Sequence, residues 1–190
     1  MAESDVPPHL AHGDGRVGEL VPAQVETKFG ATCELVPLAG SVITFDRLTG
    51  ASGTPFTSYE EDGFTVTSTV RAWQVMAGYG RPAPAIIFLR QAPEPDADGE
   101  VQVTSGAGLF VFGSVDLYSS VTTIPYVITG VRKSSPAFVL TGKIPNTFGN
   151  FKPVSNPEAV QIDTLVIRLT NPATPCCGNP MGIDNIAIKR

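Results

Sequence analysis

The sequence predicts an all-β chain: a two-sheet antiparallel jelly-roll β-sandwich preceded by an extended N-terminal arm. Three observations predict it. Gly 19 and Pro 17 are high together while charged residues are only 16%, a balance rich in turn formers and poor in the Glu, Lys and Arg that clothe helices. Several short stretches alternate apolar and polar residues with the period of two that a half-buried strand shows. Long loops rich in glycine and proline separate these stretches, and none carries a helical period.

Residues 1–40 read as the arm and residues 41–190 as the sandwich domain. Met1 to Val17 is polar, carries Pro7-Pro8 and Gly13-Asp14-Gly15, and has no periodicity. His9 and His12 lie within it as H-x-x-H, without the third ligand that a transition metal needs. From Gly18 to Leu38, short apolar clusters are cut by Pro22 and Pro37, which suits edge strand or an arm laid along the sandwich.

Val42 to Asp46, VITFD, is the first strand, with Ile43 and Phe45 on one face. The stretch LTGASGTPFTSYEEDG is a long polar connection. In GFTVTSTV, Phe64, Val66, Ser68 and Val70 share one face, and Thr65, Thr67 and Thr69 form a wet threonine face. AIIFLR at Ala85 to Arg90 is a short buried strand.

Leu109 to Tyr118, LFVFGSVDLY, is the central strand. Phe110 and Phe112 have one parity and Val115 and Leu117 the other, so facing all four to the core requires a bulge near Gly113-Ser114. YVITGVR and AFVLT follow as an antiparallel pair. The segment GKIPNTFGNFKPVSNPEA is a second long loop with Phe148 and Phe151 folded inward. Ile162 to Thr170 sets Leu165, Ile167 and Leu169 against Thr164 and Arg168, and Ile183 to Lys189 is the last strand. The count is roughly ten strands, enough for two packed sheets.

Charge excludes one class of function. The net charge is -5 and the 13 basic residues are dispersed, which gives no nucleic-acid footprint. No 18-residue apolar run crosses a bilayer. The polar start lacks the charged and apolar regions of a secretory signal, so the chain is expected to be either intracellular or the mature part of an exported protein. The three cysteines allow a bridge from Cys33 to Cys176 or Cys177, a strained vicinal Cys176-Cys177 bridge, or three reduced thiols.

The order VITFD, DGFTVTS, LFVFGSVDLYS and C-terminal GIDNIAI resembles secreted bacterial β-sandwich domains of the galactose-binding-domain-like type, relatives of carbohydrate-binding modules. The resemblance covers Val42 to Lys189. It implies an extracellular setting, a non-catalytic binding or structural role, and first and last strands lying side by side. It also implies a structural calcium near that junction, with Asp46 and Asp184 as the carboxylates. Calcium takes six to eight oxygens, several from main-chain carbonyls. The alternative for these aspartates is local turn and backbone bonding.

Sugar binding wants exposed aromatic faces beside polar groups, and Trp73, Tyr79 and Arg81 are the best cluster, although a lone tryptophan in a sandwich also suits the core. Asn146, Asn150 and Phe151 are a weaker surface. No nucleophile sits beside a base, and the acids Glu60, Glu61, Asp62, Asp116 and Asp163 read as solvated turns more readily than as a glycosidase pair. The expected function is therefore non-catalytic binding of a carbohydrate or cell-surface partner. The alternative is a self-assembling extracellular structural subunit, a filament, coat or surface layer, whose arm exchanges a strand with its neighbour.

Overall fold

The computed structural model describes residues 20–21, 24–31, 35–78, 83–90, 96–147, 150–172 and 178–190. Two antiparallel sheets face one another across a core that holds Ile43, Phe64, Val66, Val101, Val103, Phe110, Phe112, Val115, Leu117, Leu165, Ile167, Leu169 and Ile186. Among the described residues the chain forms seventeen strands: β1 Leu20–Val21, β2 Gln24–Phe29, β3 Leu35–Pro37, β4 Gly40–Ile43, β5 Pro55–Phe56, β6 Ser58–Glu61, β7 Phe64–Val70, β8 Trp73–Met76, β9 Ala85–Arg90, β10 Ala97–Ser105, β11 Phe110–Ser119, β12 Ile124–Arg132, β13 Ser135–Ile144, β14 Lys152–Ser155, β15 Gln161–Ile162, β16 Thr164–Asn171 and β17 Asn179–Lys189, the last fourteen of which make the two facing sheets. Among the described residues there is no helix, hence none long and apolar enough to cross a membrane.

One sheet has the order β13-β12-β16-β10-β7-β6, and the other runs β14-β11-β17-β9-β8-β5 with β15 on β11 and β4 on β17. All pairings are antiparallel, as in a jelly-roll sandwich. The alternation read from the sequence sets the faces. Leu165, Ile167 and Leu169 are fully buried while Arg168 between them is exposed, and Phe64 and Val66 are buried with Thr69 exposed.

β11 lies inside its sheet, paired with β17 along one side. Its partners step from Phe112↔Ile188 to Ser114↔Ala187, so Gly113 is the extra residue of a bulge. Phe112 and Val115 can then both face the core. A second bulge on β17 answers it, because Ser114↔Ala187 is followed by Asp116↔Asp184. Asn185 takes φ 44 there, a left-handed conformation that asparagine tolerates better than most residues.

The remaining edges of both long strands are each shared by two short strands laid end to end. Along β17, β9 pairs as far as Ile183 and β4 starts at Ile186. Along β11, β15 covers Phe110 and Val111, and β14 takes over at Ser114. Between them Asn156 fills the gap, its N–H donating to the Gly113 carbonyl at 2.7 Å and its side-chain amide to the Phe112 carbonyl at 3.1 Å. The first and last strands of the sandwich thus lie side by side, as the resemblance implies.

Four expectations need correction. The VITFD strand stops at Ile43 because the Glu61 carboxylate takes the next N–H groups: Thr44 N–H at 2.7 Å and Phe45 N–H at 3.2 Å. Phe45 turns back with φ 58, yet its ring stays fully buried against Phe56 and Tyr59.

The polar connection after Asp46 also contains strands, since β6 and β7 form a hairpin through Asp62 and Gly63, both at positive φ. That is the tight turn for which an Asp-Gly pair is the strongest short-range signal. Phe151 does not enter the main core. It packs on Tyr118, with Met76 and Ala85, on the outer face of the eight-stranded sheet.

Finally, the described residues between 20 and 37 supply no edge strand of the sandwich. β1, β2 and β3 form a separate three-stranded sheet. The chain then joins the sandwich at Ala39, which exchanges both backbone hydrogen bonds with Arg190.

Candidate functional site

The structure separates the residues singled out for sugar binding. Trp73 is fully buried, its ring 5.9 Å from that of Phe88 and packed over Gly99, where a methyl group would meet both rings. Its indole N–H is buried without a hydrogen-bond partner. Neither ring face is open to a ligand, so the expected Trp73 platform is corrected to core: strand alternation on β8 turns Trp73 and Val75 inward. Tyr79 and Arg81 lie outside the described residues, as do Cys33, Cys176, Cys177, His9, His12 and Phe148. Asn150 and Asn146 spend their side-chain amides on the carbonyls of Thr147 and Val121, and Phe151 is buried.

What the fold does assemble is a polar cleft of about 440 Å³ at one end of the sandwich. The Asp62-Gly63 turn forms one wall, with Glu60 and Thr65 on its two strands, and Arg47 and Gly106 close it from neighbouring loops. Several contacts fix the turn. Gly106 N–H donates to the Gly63 carbonyl at 3.3 Å. The Arg190 guanidinium donates to the Asp62 carbonyl at 2.7 Å and lies 3.9 Å over the centre of the Phe64 ring, a cation–π contact. Phe64 stacks edge-on to Phe110, which anchors the wall in the core.

Arg47 N–H donates to the Tyr59 hydroxyl, whose phenol burial pushes upward against that bond. Glu60 and Asp62 are exposed, whereas Glu61 is buried and committed to β4, accepting also from the Thr44 hydroxyl at 3.1 Å. Glu61→Gln would turn an amide toward those N–H groups. The expected result is a loss of about 1–3 kcal/mol in denaturant unfolding, and an unchanged midpoint would show that the carboxylate does not hold this corner.

Behind the cleft, Asp184 and Asp46 are brought into electrostatic reach of one another. Asp184 is fully buried, on the same face as its cross-strand partner Asp116. Its Oδ1 accepts the Asn185 N–H at 2.7 Å, and its Oδ2 is buried without a hydrogen-bond partner. Its pKa is raised to about 7, chiefly by loss of hydration and also by the charges of Asp116, Asp46 and Glu61, against the lowering by the Asn185 bond. Asp46 itself is exposed. Asp116 accepts the Asn185 side-chain amide at 2.9 Å. Asp116 and Asp184 are close carboxylates, but full burial of Asp184 removes it from any substrate. Asp163 accepts Lys133 N–H and the Thr164 hydroxyl, a turn role.

The sequence reading missed Arg47 and Arg190 altogether. The signal that points to the cleft is the Asp62-Gly63 dipeptide, which fixes a hairpin between β6 and β7.

No family model matches the sequence, and no curated protein does. Solved structures are similar in chain course. One is a family 29 carbohydrate-binding module, with 14% identity, a TM-score of 0.45, and coverage of 81% of this chain and 87% of that one. Another is a family 61 carbohydrate-binding module in complex with β-1,4-galactotriose, at 12% identity and a TM-score of 0.42, covering 67% of this chain and 88% of that one. The enzymatically active domain of tailspike protein 4 of bacteriophage CBA120 shares 11% identity at a TM-score of 0.40, over 66% of this chain and 19% of that one.

Proposed function

We propose that this β-sandwich is a non-catalytic, exported carbohydrate-binding module whose ligand seats in the cleft at the Asp62-Gly63 turn. The observation that carries the reading is the lining of that cleft. Arg47, Glu60, Asp62 and Thr65 all line one open space of about 440 Å³. Donors and acceptors so mixed suit the paired hydroxyls of a sugar. The ring that lines the cleft, Phe64, is buried, so recognition runs through hydroxyl hydrogen bonds and not through stacking.

The test is a glycan array probed with wild type, Arg47→Ala and Glu60→Gln. Binding of a glycan by wild type, lost at least tenfold in each variant (about 1.4 kcal/mol), is the expected result. No glycan bound, or the same binding in both variants, overturns the site.

A structural calcium at the Asp184 junction belongs to the same reading. The orphaned, buried Asp184 Oδ2, which feels the charges of Asp116, Asp46 and Glu61, is what would suit a hard cation there. Among the described residues no three His, Cys, Asp or Glu side chains are grouped to hold a metal. Asp184 and Asp46 would therefore share the ion with main-chain carbonyls and water. Its contribution would be structural, neutralising the buried carboxylate and tying β17 to the turn that ends β4.

A further inference from the structure

Thr65 belongs to two surfaces. It lines the cleft, and it stands on the solvent face of the six-stranded sheet, between Phe64 and Val66, which are buried in the core. Cross-strand register carries that face onward: Glu60 lies opposite Thr65, Thr65 opposite Thr104, and Thr104 opposite Thr164. One pair further along the same strands, Thr67 lies opposite Gln102. Through Thr65 the cleft is thus continuous with a half-buried polar shelf whose side chains repeat from strand to strand at about 4.8 Å, close to the advance of one ring along an extended glycan.

What sets the shelf apart from the rest of the face is that its polar groups are unspent. Among the described residues, the side chains of Thr65, Thr67, Gln102 and Thr104 have no hydrogen-bond partner. Thr164 gives its proton to Asp163 and keeps its lone pairs. Toward the other ends of the same three strands the sheet consumes its own polar groups. Thr69 and Arg168 both bond Glu100, and Thr170 donates to Asp98. Donors and acceptors are therefore on offer only at the end that joins the cleft.

Charge narrows the ligand. The shelf carries none, and the cleft sets two exposed carboxylates, Glu60 and Asp62, against one exposed guanidinium, Arg47, so an anionic sugar is disfavoured. Resting on the reading of the cleft as a sugar site, we infer that the ligand is a neutral, linear oligosaccharide of at least three residues. One ring sits in the cleft, and the following rings cross β7, β10 and β16 over Thr65, Thr104 and Thr164.

Isothermal titration of the full chain tests this with β-1,4-linked oligomers of glucose, mannose, galactose and xylose, one to four residues long, and with galacturonic acid oligomers as the charged arm. At least one neutral series is expected to bind, with affinity rising about tenfold or more from one residue to three, because each added ring gains hydrogen bonds worth severalfold. Thr104→Val, which keeps a strand-forming shape, and Gln102→Ala are each expected to weaken the trisaccharide about threefold to tenfold, the worth of one net hydrogen bond. Thr170→Val, at the spent end, keeps wild-type binding. Binding that Arg47→Ala abolishes but that does not grow with length, that survives both shelf variants, or that prefers the galacturonic acid series overturns the inference and leaves the cleft reading standing. Binding indifferent to Arg47→Ala overturns both. No binding in any series overturns the inference, and the glycan array decides separately whether the cleft reading falls with it.

Discussion

Trp73→Ala is expected to lose about 3–5 kcal/mol of folding stability, the usual cost of removing a large aromatic from a packed core, while glycan binding by the folded variant is unchanged. Trp73 is fully buried, lies against Phe88, and covers Gly99, the one position of β10 where the backbone must leave room for both rings. Gly99 under the ring has no side chain of its own to refill that space. The buried, unpartnered indole N–H moderates the loss, since the alanine variant no longer pays for its desolvation. Denaturant unfolding and the glycan array read the two halves of the prediction. A stable variant with lost binding would restore Trp73 to the sugar site.

The second large effect belongs to Asp184. Its carboxyl is raised to about 7 when folded, from 3.8 as the unfolded reference. Between those values the folded state holds a proton that the unfolded state has released, so stability is greatest below about pH 4, declines as the pH climbs to about 7, and is level above that. At 1.36 kcal/mol per unit the decline from this one group is at most about 4 kcal/mol. In chelator, Asp184→Asn should therefore match wild type near pH 4 and exceed it by a few kcal/mol at pH 8.

Calcium at the proposed site would act in the opposite direction. An ion that binds only the folded, charged form raises the wild-type melting temperature at pH 8 and leaves the variant alone. An identical pH slope in both proteins rejects the buried carboxylate as the cause, and a melting temperature indifferent to calcium rejects the ion.

The fold was legible where strands are long and one-sided. β16 and β7 announce themselves by alternation, and the parity break in LFVFGSVDLY already requires the bulge at Gly113. Strands of two to four residues, such as β5, β6, β14 and β15, are too short to show a period, and β4 ends where it does because a carboxylate from β6 replaces a neighbouring strand. That is a tertiary event without local signature. The candidate site was less legible for a related reason. Arg47, Glu60 and Arg190 are far apart in the chain, and only the pairing of β4 with β17 and the turn at Asp62-Gly63 bring them to one end. Trp73 misled because a lone tryptophan has the same composition signal whether it faces a sugar or a core.

The end-to-end arrangement along β11 and β17 has a mechanical consequence. These two strands are continuous beams laid across a seam, with β14 and β9 on one side of it and β15 and β4 on the other. At the seam the outer edges of both beams lack strand partners, and each has a bulge there. Asn156 bolts one end of the seam with two hydrogen bonds, whereas the other end is held by Asp184 and Asn185. The hydrogen bonds that Asp184 and Asn185 make therefore hold a joint between two half-sheets, and Arg47, in the cleft lining, follows the point where β4 leaves that joint.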